Sequence, residues 1–430
     1  AFKGSGYYFY DLTAKLNWRL SDKDRLYLSG YFGRDVFTFN NKDLDFNFNI
    51  PWGNATASLR WNHLFSDKLF VNTTTAVFTD YNFAFEGGSS DFNFKLTSGV
   101  RDGNLKQDYT YYHSSLHNIK FGWNYTLHRF IPTSTEASSN DVEFDTGEKV
   151  KIWGNEAAIY LLDDWSVNER LKVNFGMRLS MYQHIGPFTR YFNNENTGTT
   201  DSTINYSSGK PIKTYFGPEP RLSARYLFPD NSSFKLGIAH NYQYIHLASI
   251  SSVSLPTDLW FPSTEVVKPQ IGTQYSMGYF KNFFNNKYEA SVELYYKDLN
   301  NLIEYKENSF PEDNLKNNVD NQLTFGRGYS YGAEFFLKKR LGDFNGWIGY
   351  TWSKTMRQFD EIDNGVEFPA KYDRRNDLSV VLQYQINERV NIGGVFVYAT
   401  GNSLSLPERR WFSVEENRII TVWSKRNAFR

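Results

Sequence analysis

The sequence predicts an all-β chain folded as a transmembrane antiparallel β-barrel, and three observations predict it. Long segments alternate apolar and polar residues, short polar turns join them in pairs, and a longer polar connection separates each pair from the next. Successive strand side chains point to opposite faces, so such segments give a sheet with one oily and one wet face. Spanning barrels combine that pattern with one tight and one elaborate rim.

The segments bear this out in order. Between residues 10 and 20, Tyr10, Leu12, Ala14, Leu16, Trp18 and Leu20 oppose Asp11, Thr13, Lys15, Asn17 and Arg19. From Leu171 the odd positions through Met181 are apolar, against Lys172, Asn174, Gly176, Arg178 and Ser180. Tyr288, Ala290, Val292, Leu294 and Tyr296 oppose Glu289, Ser291, Glu293 and Tyr295, and Leu378, Val380, Leu382, Tyr384 and Ile386 oppose Ser379, Val381, Gln383 and Gln385. Helical spacing would scatter these sets around a cylinder. The alternation lasts about ten residues or more, as a tilted spanning strand requires, whereas ordinary strands average about five or six. Aromatic residues, 18% of the chain, often end the segments, where a headgroup layer favours amphipathic rings.

Tight turns are expected at 21–24, 66–68, 113–116, 167–170, 229–232, 284–286, 341–344 and 387–389, where Asp, Asn, Ser, Gly and Pro suit reversals. Long connections are expected at 40–51, 85–91, 131–150, 184–211, 248–269, 305–321 and 358–371. Eight hairpins give sixteen strands. A soluble propeller is the competitor, since the turns recur about every 45 to 60 residues. A blade, however, fits four short strands into that length, where this chain has two long ones.

Composition narrows the class. The 430 residues contain no run of about 18 apolar residues, so no transmembrane helix is expected, although a large barrel remains open to a chain of 40% hydrophobic content. A net charge of +0, with 47 basic and 47 acidic residues interspersed, removes the electrostatic case for nucleic acid. There are no cysteines, hence no disulfide or thiolate metal site. The chain starts at Ala1 without a visible export signal. Eight tight turns against seven long connections put both ends on the long-loop side, outside the cell, and 423–430 stops without a closing strand. The chain, residues 1–430, is therefore expected to be an internal part of a larger barrel.

The residues that could carry chemistry point away from catalysis. His113 and His117 are four apart on a turn, not a helix, and His240 and His246 share parity with Phe234, Leu236, Ile238, Tyr242 and Tyr244, which predicts interfacial or lipid-facing packing. No metal site, cofactor motif or nucleophile–base set stands out. By parity, Arg178, Arg221, Arg225 and Glu334 face the lumen. Charged wall residues of this kind bond to one another or to whatever fills the barrel, or else contact a solute in transit. The loops at 184–211 and 255–262 offer aromatic and polar contacts for cargo, without singling out a binding residue.

Several segments resemble one family. They are YFYDLTAKLNWRLSDKDRLYLSGYFGRDVF at 8–37, EPRLSARY at 219–226, PTDLW at 256–260 followed by VKPQ at 267–270, GYSYGAEFF at 328–336 before GWIGYTWSK, and FPAKYDRRND at 368–377 leading to VYATGN at 397–402. In order and spacing, over nearly the whole chain, these resemble the barrel of TonB-dependent outer-membrane transporters, especially those of Bacteroidota. The resemblance implies a twenty-two-stranded barrel of which this chain supplies the fourth to nineteenth strands. The plug domain and three strands at each end would lie outside it. It implies energised uptake of a scarce or bulky substrate such as a glycan, peptide or siderophore, with no cofactor and no enzymatic role. The implied surroundings are outer-membrane lipid of a Gram-negative bacterium, the TonB complex reached through the missing N-terminal region, and in some relatives a lipoprotein lid. A passive porin is the second reading, and an outer-membrane adhesin or enzyme the third.

Overall fold

The structure, a computed structural model, describes residues 4–41, 43, 45–140, 142–144, 150–193, 200–248, 259–306, 318–413 and 418–429. Sixteen long strands form one antiparallel sheet. The first eight are β1 (Ser5–Arg19), β2 (Asp24–Asn41), β3 (Phe46–Leu64), β4 (Leu69–Gly88), β5 (Phe92–Tyr112), β6 (His117–Ser139), β7 (Ile152–Ser166) and β8 (Leu171–Ile185). The second eight are β9 (Pro211–Leu227), β10 (Ser233–Gln243), β11 (Gln270–Phe283), β12 (Tyr288–Tyr305), β13 (Leu323–Lys339), β14 (Phe344–Phe359), β15 (Asn376–Asn387) and β16 (Val390–Ala399). Each pairs with its neighbours in the chain, and two-residue strands at Val142–Glu143 and Phe368–Pro369 complete the sheet. Among the described residues, β1 pairs only with β2 and β16 only with β15, which leaves two open edges.

The predicted faces are present. Met177 (43% exposed) and Leu179 (50%) lie on one side of β8, while Ser180 is buried on the other. Leu222, Leu236, Met277, Leu294 and Leu337 carry the oily side across the following strands. On the wet side, Arg178 stands opposite Tyr160 on β7 and Glu219 on β9. Pro220 fits β9 because the β9–β10 ladder ends at Arg221, one residue before the missing donor. Leu222→Arg should cost about 2–4 kcal/mol of stability in lipid. Ser223→Arg on the wet face should cost far less, and equal losses in guanidinium unfolding from vesicles would contradict this assignment of faces.

One device builds most of the short rim. The first side-chain oxygen of the turn accepts a backbone N–H two residues on: Ser21 from Lys23, Ser66 from Lys68, Ser114 from Leu116, Asn168 from Arg170, Asp230 from Ser232 and Asn387 from Arg389. The turn after β11 instead places Phe284, Asn285 and Asn286 at positive φ, a conformation asparagine tolerates.

The long rim departs from expectation. The connection expected at 40–51 shrinks to 42–45, and the one expected at 85–91 shrinks to 89–91, because β2 to β5 run on through them. These stretches are rich in Asn and Gly, but in the first of them Phe46, Phe48 and Ile50 keep alternating with Asn47 and Asn49. Even Pro51 is accommodated, in a gap of the β3–β4 ladder between Asn49 and Trp52. β6 likewise continues to Ser139 and reaches 23 residues. Since roughly nine to eleven residues cross a bilayer, strands of this length project well beyond it.

The later connections fold back over the sheet. The hairpin of Ile245–Ala248 with Leu259–Pro262 touches β5 and β6 on one side and β12 on the other. Strands β6 and β12 are six steps apart, about 29 Å in a flat sheet at the usual spacing of about 4.8 Å. One small hairpin meets both only because the sheet curves, and this contact identifies the concave face. Phe130 and Ile152 from β6 and β7, Ile303 from β12 and Leu323 from β13 share a buried core with Phe188, Phe261, Val267 and Val319 from the connections.

Candidate functional site: the concave wall and its cap

The concave wall carries a chain of ionic contacts at mid-height. His128, buried on β6, lies 2.7 Å from Asp102 and 3.5 Å from Glu156. Arg178 bridges Glu156 at 3.8 Å and Glu219 at 3.7 Å. Glu219 is itself buried, accepting the Ser180 hydroxyl at 2.6 Å, while Ser180 Oγ lies 2.8 Å from the Tyr244 hydroxyl. Arg221 stands 3.6 Å from Glu219 and donates to Asn241 at 2.9 Å. A buried carboxylate keeps its charge only with such partners.

Nearer the short rim, one register row carries unpaired charge. Lys172 on β8 stands opposite Arg225 on β9, which stands opposite Lys235 on β10. Gly278 follows on β11, then Glu293 on β12 and Glu334 on β13. None of these five charged residues forms an ion pair within 4.0 Å among the described residues, although Lys172 acts electrostatically on Asp164 and Lys235 lies 3.9 Å over the Phe280 ring. The basic three and Glu293 line an open recess of about 770 Å³. Of the four residues singled out by parity, Arg178 and Arg221 therefore join the mid-height network, and Arg225 and Glu334 belong to the unpaired row. All four lie on the wet face.

The cap at the other end is fastened by a buried ion pair. Arg190 donates to both oxygens of Asp320, at 2.7 and 2.8 Å, and also bonds Glu265. Thr264 donates its hydroxyl to Asp320 at 2.7 Å, and Tyr215 on β9 donates to the Thr264 carbonyl at 2.7 Å. Asn318 accepts from the Tyr191 backbone and donates to the Thr189 carbonyl. Three connections are thus tied together, those following β8, β10 and β12.

His246 corrects the expectation of interfacial or lipid-facing packing. It is fully buried in the cap with Nε2 3.0 Å from Ser263 Oγ, because β10 stops at Gln243 and strand parity does not carry past Tyr244. Burial pushes its pKa down to about 4, so the ring is neutral at physiological pH. His240, still within β10, is half-buried beside Thr273 at 2.8 Å, and His113 lies in the turn between β5 and β6. Among the described residues no cluster of His, Cys, Asp and Glu could hold a metal ion.

Sequence reasoning missed His128, Glu156 and Glu219, although alternation could have placed them on the wet face. It also missed Arg190 and Asp320. Nothing local signals a pairing across 130 residues of loop-rich chain. Of the predicted cargo loops, 194–199 of the first and 255–258 of the second lie outside the described residues.

The architecture resembles several solved structures. The copper transporter OprC aligns with a TM-score of 0.64 at 12% identity, covering 92% of this chain and 58% of its own. The ferric-catecholate import receptor Fiu of E. coli K12, in its closed form, gives 0.57 at 14% identity, with 97% and 67% covered. The ferripyoverdine receptor of the Pseudomonas aeruginosa outer membrane, bound to ferripyoverdine, gives 0.62 at 12%, with 98% and 58% covered. The chain thus spans 58% to 67% of the length of these structures, and at such identities the likeness concerns the fold. No curated protein sequence matches it. Residues 2–416 match the family described as TonB dependent receptor-like, beta-barrel, a family of receptors and transporters in Gram-negative outer membranes, and the chain belongs to that family.

Proposed function

We propose that this chain forms the wall and outer mouth of an energised importer in the outer membrane of a Gram-negative bacterium. In this reading the whole of 1–430 is barrel, further strands close it between β1 and β16, and a plug occupies the lumen. The observation that carries the reading is the unpaired row Lys172–Arg225–Lys235 and Glu293–Glu334 on the concave wall. Five charges without a close ion pair suit a wall that meets a complementary polypeptide. The open edges support additional strands, since unpaired backbone in hydrocarbon costs several kcal/mol per group. The motifs at 328–336 and 368–377 favour the Bacteroidota type. Cargo would be captured at the long rim, and the TonB complex would pull from the periplasm. A lipoprotein seated over the cap would complete the assembly in the manner of some relatives. The cargo is a bulky or scarce solute of the glycan, peptide or siderophore kind.

The test is accumulation of radiolabelled candidate cargo by cells expressing the complete gene, with and without a protonophore. Energised import predicts that accumulation collapses when the proton gradient is lost. Uptake that persists unchanged would favour the passive porin, whose sixteen strands are an acceptable barrel number.

A further inference from the structure

Two histidines are sealed beneath the cap. His184, at the outer end of β8, and His246, on the hairpin of Ile245–Ala248 with Leu259–Pro262, are both 0% exposed. His184 meets the Phe188 ring edge-on at a centroid distance of 4.8 Å, so the cap segment Phe188–Asn193 begins against it. Neither ring nitrogen of His184, and only Nε2 of His246, has a hydrogen-bond partner among the described residues. A neutral imidazole tolerates such a site at modest cost. An imidazolium carries a net charge and two N–H donors, and burying it without acceptors or a counter-ion costs far more.

The surroundings supply no free counter-ion. Arg190 and Asp320 are the charged groups that act on His184, and they are already paired with each other. Asp320 also accepts the Thr264 hydroxyl, and Glu265 is bonded to Arg190. Across the sheet, His184 stands opposite Gly154 on β7 and Lys213 on β9, which offer no negative charge. His246 faces Phe261 across its hairpin, and no charged group acts on it among the described residues. Of the strands this hairpin touches, β5 and β6 pair Asp102 with His128, and β12 pairs Glu304 with Arg357 and Arg426. The nearby Tyr182, Tyr215 and Tyr244 are phenols, which stay uncharged in acid.

We propose that His184 and His246 form an acid-released latch: the cap closes over two neutral imidazoles, and protonation of either one releases it from the wall. The Arg190–Asp320 pair fastens the cap, and the histidines set the acidity at which the fastening yields. Linkage gives the sign. An exposed imidazole titrates near about 6.5, whereas burial holds His246 down to about 4. The closed cap thus binds fewer protons than the open one. Closure is fully stable above about pH 7 and weakens as the pH falls, by about tenfold per pH unit for each histidine released. The latch goes beyond the import reading, and its test measures exchange rather than uptake, so either can fail alone.

The complete protein in lipid nanodiscs would be followed by amide exchange from about pH 8 to about pH 5, with rates corrected for their intrinsic pH dependence. Protection in Phe188–Asn193 and Ile245–Ala248 should hold above about pH 7 and fall about ten- to a hundredfold between about pH 6.5 and 5.5. Strands β1 to β4 should keep theirs. The double variant His184→Phe/His246→Gln should abolish the fall, since neither replacement titrates and His184 has no hydrogen bond to lose. Arg190→Met/Asp320→Leu should retain it, because the imidazoles and not the ion pair sense the proton. Exchange at the imidazole C2 position of the unsubstituted chain reports each ring's titration directly, and both rings should take up protons where the cap opens. Four results would each overturn the proposal: flat protection throughout, an acid response that survives in the histidine variant, one that vanishes with the ion pair, or rings that titrate normally beneath a closed cap. The second and third would assign the response to Asp320 and Glu265.

Discussion

Asp320→Ala should unfasten the cap while leaving the sheet intact. The substitution strands the Arg190 guanidinium, only 3% exposed, without its bidentate partner. Removing one member of a buried pair typically costs about 3–5 kcal/mol, because the remaining charge is left uncompensated. The loss should be local. Amide exchange should accelerate in Phe188–Asn193, Ile245–Ala248 and Val319–Gln322, with β1 to β4 unaffected. Asp320→Asn keeps acceptor capacity for Thr264 and should give a smaller effect. The double variant Arg190→Met/Asp320→Leu removes both charges and should recover much of the protection. Exchange that rose evenly over the whole chain would sink the idea that the ion pair holds the cap in particular.

The second large effect lies on the wall. Tyr182 is fully buried on β8, stacked on Tyr244 with ring centroids 5.3 Å apart and planes 15° apart. Its hydroxyl lies over Gly154 on β7, in the space a Cβ would occupy. Tyr182→Ala should cost about 3–5 kcal/mol, as large buried aromatics do. Gly154→Ala should also destabilise, because the ring it meets is held from the other side. The two losses should not add: with Tyr182 already alanine, Gly154→Ala has room and should become nearly neutral. Denaturant unfolding of the four proteins in the cycle checks this, and strict additivity would refute the contact as the cause.

How much of this was visible beforehand follows from what each feature depends on. The lipid-side and wet-side residues of β8 to β13 follow from alternation alone, since period two is a local property. The lengths of β2 to β5 did not. Their outer halves reverse polarity and are rich in Asn, so a reading that equates polar composition with loop ends the strands near residues 40 and 85. His246 was misplaced because parity was extended through Tyr244, where the strand had ended. The cap was illegible for a different reason. Its members, from Phe130 to Leu323, are brought together by curvature, and curvature leaves no mark on short windows of sequence.

The chain-order pairing of all sixteen strands also sets an order of assembly. Each hairpin closes through a short turn, so its loop-closure entropy is small, and each strand's sheet partners are its neighbours in the chain. The sheet can therefore zip along the chain, hairpin by hairpin. The Arg190–Asp320 contact is of another kind: it joins positions 130 residues apart and needs the curved wall beneath it. The cap is thus expected to form after the sheet, so that an immature form would present a finished sheet with its mouth still open.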